Sequence, residues 1–124
     1  MRTLVSLVSV LLSVAACGAT NLRPEAAHVI VSRQPAPTDC RYVGSVIGEQ
    51  GGAIEGGFTS NRALLEGAMN DMKNKAAALG ADYVVLEESK AGNTLAGSGH
   101  SVSGQQTDVT NFGNAYSCKA KATR

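Results

Sequence analysis

Cysteine is the residue type in this sequence best suited to covalent chemistry, and the chain has three cysteines. The first, Cys17, directly follows two alanines at the end of an apolar run that begins at Leu4. Arg2 places a positive charge ahead of that run, so residues 1–16 have the three parts of an export signal. The run is too short to remain as a membrane-spanning helix. We therefore expect residues 1–16 to be removed as a signal peptide.

The ending Val14-Ala15-Ala16-Cys17 resembles the lipobox of bacterial lipoproteins. In those proteins the cysteine is acylated and becomes the first residue after cleavage, which implies a lipidated, palmitate-bearing Cys17. The resemblance also implies the outer membrane, because Gly18 stands where an aspartate often retains lipoproteins at the inner membrane. The expected product faces the periplasm and is held by lipid. Ordinary cleavage with no lipid, giving a secreted soluble protein, is the alternative.

Cys40 and Cys118 remain once Cys17 is assigned to lipid. An even remainder in an oxidising compartment predicts that the two form a disulfide. Two buried free thiols are the alternative. A metal site is not indicated, because neither cysteine has another cysteine or a histidine two to four residues away.

The remaining candidates for catalysis lack partners at the required spacing. Gly99-His100-Ser101-Val102-Ser103 comes within one residue of the hydrolase nucleophile elbow, which needs a strand before it and a helix after it. The glycines of residues 51–57 are not followed by the lysine and hydroxyl residue of a phosphate-binding loop. His28 and His100 have no metal-binding spacing. We therefore predict no catalytic residue, no metal ligand, no cofactor and a protein that is not an enzyme.

The charge balance excludes one class of partner. The chain has 11 basic and 10 acidic residues, and removing Arg2 leaves 10 of each. No basic stripe is present that could hold nucleic acid.

Residues 17–26 are predicted to form the lipid anchor and a tether, and residues 27–124 a single small domain. Ten steps from Cys17 to Ala27 at about 3.3 to 3.6 Å each allow a reach of roughly 35 Å. The domain is therefore expected to lie close to its membrane.

The elements of that domain can be predicted from local patterns. The clearest is a helix from Ser60 or Asn61 to Leu79, with Gly80 as its C-cap. Its apolar residues recur at spacings of three and four and predict a buried stripe, opposite a solvated face that includes Asn74. The stripe consists of Leu65, Ala68, Met69, Met72, Ala76 and Leu79.

Four strands are predicted around the helix, and two glycine-rich segments, Gln50–Thr59 and Gly92–Gln106, are predicted to be flexible loops. Cys40 near the start of the second strand and Cys118 near the end of the fourth would meet if these strands were antiparallel neighbours. The fold class is α+β: a small, mainly antiparallel sheet of three to four strands with one amphipathic helix packed on one face, braced by one disulfide. The strands are expected at His28–Val31, from Cys40, at Asp82–Glu87 and at Asp108–Lys121.

Three stretches, at residues 39–46, 70–85 and 116–118, resemble the small proteobacterial lipoproteins of domain-of-unknown-function family 4156. Since that family has no assigned function, the resemblance implies architecture and location only. A more distant similarity is to the RcsF outer-membrane lipoproteins. The chain differs from RcsF in having cysteines for one disulfide instead of two, and in lacking a long tether.

Two functions remain after these exclusions. The first is a non-catalytic module that binds another envelope protein or a cell-wall component, with an exposed sheet edge as its docking surface. The alternative is a small-ligand-binding or enzymatic domain with its site at the two glycine-rich loops. The polar residues that it would use are Asp39, Glu49, His100 and Asp108.

Overall fold

The computed structural model describes residues 19–52, 60–98 and 101–118, and gives the backbone alone at 93–98 and 101–105. These residues contain one α-helix and a four-stranded sheet, so the predicted α+β class is confirmed. The sheet order is β1-β3-β4-β2; β1 is parallel to β3, and the other two pairings are antiparallel. The elements are β1 (Ile30–Ser32), β2 (Arg41–Gly51), α1 (Asn61–Ala78), β3 (Tyr83–Ser98) and β4 (Ser101–Ser117).

Helix α1 begins and ends within one residue of the predicted bounds. The Ser60 hydroxyl accepts a hydrogen bond from the Ala63 N–H at 3.2 Å, which satisfies one of the free amides of the first turn. At the other end Gly80 has a φ of +79°, a left-handed conformation that favours glycine. Strand β3 starts at Tyr83, so the chain returns to the sheet directly after the helix.

The buried face of α1 is only partly the predicted stripe. Ala68, Met72 and Ala76 are fully buried, but Leu65 and Leu79 are 52% and 47% exposed. The prediction was wrong for these two leucines. Leucines at positions 64 and 65 both fit a spacing of three to four, and Leu64 is the one that packs inward, whereas Leu79 is the C-cap residue just beyond the last turn of the helix. The core on which this face packs is built from small aliphatic side chains: Ala26, Val29, Val46, Ala81, Val84, Val109 and Ala115.

Helix and sheet lie in close contact at Gly48 of β2. A β-carbon at this position would collide with the Ala68 carbonyl oxygen and with Met72 of α1. A glycine is therefore required by packing here, and it lets the helix backbone lie directly on the strand.

The N-terminal segment, residues 20–29, packs against α1. The Asn74 side-chain Oδ1 accepts a hydrogen bond from the Arg23 N–H at 2.9 Å, and its Nδ2 donates to the Asn21 carbonyl at 2.9 Å. Asn74 is only 8% exposed, so the prediction of a solvated side chain was wrong. The reason is that the segment covers a part of the helix that a lone helix on a sheet would expose.

The same segment contributes to the core. A short 3-10 turn at Pro24–Ala26 directs Ala26 and Val29 inward, where they are 0% and 2% exposed in the cluster that contains Met72. Residues 19–26 are the described part of the region assigned above to the anchor and tether, and Thr20, Asn21 and Arg23 are hydrogen-bonded to the domain.

A long β-hairpin replaces the flexible loop predicted at Gly92–Gln106, and that prediction was wrong. Strands β3 and β4 stay paired from Tyr83 and Tyr116 to Ser98 and Ser101. Their backbone groups satisfy one another, so the strands need no apolar alternation to form. Beyond Gly92 and Asp108 neither β2 nor β1 lies alongside, and we call this two-stranded extension, residues 93–98 and 101–106, the arm.

The remaining boundaries differ by smaller amounts. Strand β1 starts two residues later than predicted, which leaves His28 exposed ahead of it. Gly51 belongs to β2, so the predicted loop Gln50–Thr59 starts later than expected, and its residues 53–59 lie outside the described chain. Among the described residues no helix has the length and apolar character needed to cross a membrane.

Cys40 and Cys118 form the predicted disulfide. They lie next to the pair Arg41 and Ser117, where β2 begins and its antiparallel neighbour β4 ends, so the predicted neighbour relation of these strands is confirmed. The bond joins positions 78 residues apart and closes a loop that includes the helix and all of β3.

Removing this disulfide should lower the free energy of unfolding by about 4 to 5 kcal/mol, the chain-entropy value for a loop of this size. Urea unfolding of the wild type and of the double variant Cys40→Ser/Cys118→Ser measures the difference. A decrease below about 1 kcal/mol would show that the bond does not brace the fold.

Candidate functional site

The sheet has one buried face and one open face. Along β4, the buried residues Val109, Asn111, Gly113 and Ala115 alternate with partly exposed ones. Helix α1 packs on the first set, and among the described residues no helix packs on the second. The open face includes Tyr42, Ser45, Ile47, Glu87, Glu88, Lys90, Phe112, Asn114 and Tyr116.

Large apolar and aromatic side chains are exposed on the open face. Tyr42, near the start of β2, and Ile47, in its middle, are 54% and 43% exposed. The Tyr42 and Tyr116 rings meet edge to face, with centroids 5.7 Å apart. The Lys90 ammonium lies 5.6 Å from the centroid of the Phe112 ring. This surface can therefore offer both apolar contact and ring faces to a partner.

A chain of hydrogen bonds crosses the open face and fixes its polar side chains. The Tyr42 and Ser45 hydroxyls are 3.0 Å apart, and the Ser45 hydroxyl donates to Asn114 Oδ1 at 3.2 Å. Asn114 Nδ2 in turn donates to Glu87 Oε1 at 3.2 Å. The chain links β2, β4 and β3, so these groups are held in place before any partner binds.

A cleft of about 510 Å³ adjoins the open face at the disulfide end. The segment between β1 and β2 forms one wall and contains two prolines, and Tyr83 holds it by donating from its hydroxyl to the Gln34 carbonyl at 3.1 Å. Charged groups of both signs line the cleft. Its residues are Arg33, Pro35, Ala36, Pro37, Thr38, Cys40, Val85, Glu87 and Tyr116.

The outer edge of β2 is partly covered by side chains of α1. The Glu49 N–H donates to Asp71 Oδ2 at 2.9 Å, and Lys75 donates to the Ile47 carbonyl at 2.8 Å. Asp71 and Lys75 are themselves an ion pair at 2.8 Å on successive turns of α1. Helix side chains thus occupy the backbone groups that an added strand would need. The other long edge, β3 after Val85, has no neighbouring strand among the described residues.

Of the residues considered for a loop site, Glu49 and Asp108 lie near each other, as diagonal neighbours in the pairing of β2 with β4, whereas Asp39 is far from both. Asp39 precedes β2 at the disulfide end, whereas Asp108 lies opposite Gly51 at the other end, about 33 Å away along the strand at 3.3 Å per residue. The Glu49 backbone is bonded to the helix at that second end. His100 lies outside the described residues. The small-ligand or enzymatic alternative stays a prediction.

Cys17, the predicted lipidation site, also lies outside the described residues. No cluster of three metal-binding side chains occurs in the described part of the chain.

The open face was not predicted from the sequence, although Phe112, Asn114 and Tyr116 were correctly placed on one side of their strand. The apolar residues on both sides of β2 gave no signal of which side is covered.

Comparison with known families identifies the chain. The family model described as Domain of unknown function (DUF4156) matches residues 20–118. The chain belongs to this family. The match begins at the docked N-terminal segment and ends at the disulfide, so it spans the elements that build both faces of the sheet.

Curated relatives agree with the assignment. The uncharacterized protein YjeI of Escherichia coli K12 is 28% identical over 120 residues, covering 95% of this chain and 97% of the relative. YjeI of Shigella flexneri has the same identity and coverage. No solved structure matches the chain. The more distant similarity to RcsF stays a prediction.

If the open face is a surface and not a core, each of its apolar groups should contribute less to stability than a buried one. The double variant Tyr42→Ser/Ile47→Ser is expected to lose about 1 kcal/mol per substitution in the free energy of unfolding, because about half of each side chain is exposed. The control Val84→Ala, at a fully buried position, should lose about 2 kcal/mol. Urea unfolding measures both, and a loss per substitution in the double variant as large as that of the control would contradict this assignment.

Proposed function

We propose that the protein is a lipid-anchored lipoprotein of the bacterial outer membrane and a non-catalytic binding module. Its open face recognises another envelope protein or a cell-wall component in the periplasm. The observation that carries this proposal is the exposure of Tyr42 and Ile47 on a surface whose polar groups are already fixed.

The anchoring part of the proposal is supported by the lipobox at Val14–Cys17. A single acyl chain holds a protein to a membrane only marginally, but several chains on one cysteine hold it permanently. Gly18 in place of an aspartate supports the outer membrane. The disulfide is consistent with an oxidising compartment.

The binding part of the proposal is supported by the chemistry of the open face. Exposed tyrosine and isoleucine supply apolar area, and tyrosine loses little conformational entropy when it is bound. Three charged groups are already engaged: Glu87 accepts from Asn114, and Lys90 lies 3.3 Å from Glu88. These engaged carboxylates suit recognition better than proton transfer. Binding here needs no change in the fold.

Crosslinking in whole cells followed by affinity purification tests the binding role. We expect the wild type to recover a specific protein, or to co-sediment with purified cell-wall sacculi, and Tyr42→Ser/Ile47→Ser to lose about tenfold or more of that recovery. A tenfold loss corresponds to about 1.4 kcal/mol of binding free energy. Leu65→Ser is the matched control, because Leu65 is 52% exposed on the helix instead of the sheet.

Equal recovery by all three chains would contradict a role for the open face. Recovery of nothing above an unanchored control would contradict the binding role altogether. Protein partners and sacculi are assayed separately, so the result also decides between the two classes of partner.

A further inference from the structure

We propose that the docked N-terminal segment holds the domain with the arm against the lipid bilayer. This inference rests on the proposed lipid anchor at Cys17, and it adds which part of the protein contacts lipid. The partner is a phospholipid surface, contacted by the described residues of the arm, 93–98 and 101–106.

Thr20 is bonded to both the sheet and the helix. Its backbone N–H and its hydroxyl both donate to the Gln50 side-chain oxygen, and its carbonyl accepts from Asn70 of α1 at 2.8 Å. Gln50 pairs with Val109 near the end of β2. Thr20 is therefore fixed at the end of the sheet from which the arm extends.

The chain between the proposed anchor and that fixed point is short. Cys17 lies three residues before Thr20. Three residues span at most about 11 Å even when fully extended. The bilayer that holds the Cys17 lipid must therefore lie within about 11 Å of the arm end of the domain. A tether free as far as Ala27 would have allowed about three times that distance.

The arm extends from this same end of the sheet. It continues for six residues beyond Gly92, which is about 20 Å at 3.3 Å per residue. The arm is thus longer than the gap that the anchor allows. The opposite end, at Arg41 and the disulfide, lies about 30 Å from Gln50 along β2 and is directed away from the bilayer.

The composition of the arm suits contact with headgroups. Residues 91–107 contain no Asp, Glu, Lys or Arg, so contact with a bilayer removes no charged side chain from water. Beyond Gly92 neither strand has an outer neighbour among the described residues, so each outer edge carries backbone groups that can hydrogen-bond to headgroups. In this orientation the cleft and the disulfide end face the periplasm.

Photocrosslinking in native membranes tests the inference. The full chain is produced with p-benzoylphenylalanine in place of Thr94, in the arm, or of Thr38, at the far end; both are threonines in the wild type. After irradiation, phospholipid adducts are counted by mass spectrometry. We expect at least a fivefold higher adduct yield at position 94. Equal yields, or a higher yield at position 38, would overturn the inference.

A lengthened linker tests whether the docked segment is the cause. Insertion of ten Gly and Ser residues after Gly18 leaves the folded residues unchanged but lets the domain move away from the membrane. The adduct yield at position 94 should fall severalfold; an unchanged yield would show that docking does not position the arm. The same spectra report acylation of Cys17. An acylated chain without arm adducts overturns this inference alone, whereas an unacylated chain overturns the proposed anchor as well.

Discussion

The buried amide of Asn74 is the contact on which the arrangement of the molecule depends. It accepts from the Arg23 N–H and donates to the Asn21 carbonyl, so it joins the helix to a segment more than 50 residues earlier in the chain. Detachment of the segment would break both hydrogen bonds and expose the apolar side chains of Ala26 and Val29 to water, so the docked state is favoured. Through this contact the residues after the expected anchor become part of the domain, and Ala26 and Val29 enter its core.

The architecture follows from having too little apolar material for a two-sided core. Small side chains let the helix lie close on the sheet, with Gly48 at a point of close contact, and the docked segment completes that single layer. The opposite sheet face is left for hydrogen bonding among Tyr42, Ser45 and Asn114. A small core of this kind gains most from a covalent bond between the ends of its strands, which the Cys40–Cys118 disulfide supplies.

The features that could be predicted from the sequence depend on local patterns or on the number of cysteines. The helix was predicted because Ser60 and Gly80 mark its ends. The disulfide was predicted because two cysteines remain once Cys17 is assigned to lipid. The arm was missed because pairing between strands rich in glycine and serine leaves no apolar period. The docking of Asn74 and the choice of open face are long-range outcomes: an asparagine on a helix and alternating apolar residues in β2 are each compatible with either environment.

Hydrogen exchange at the N-terminal segment tests the central claim most directly. The Arg23 amide is bonded to Asn74, and the Ala26 and Val29 amides to carbonyls within the segment. In the native, oxidised protein these three amides should exchange far more slowly than an unstructured peptide, and Asn74→Ala should abolish most of that protection while β4 remains protected. Exchange of these amides at the unstructured rate in the wild type would contradict the account, because the segment would then be a free tether.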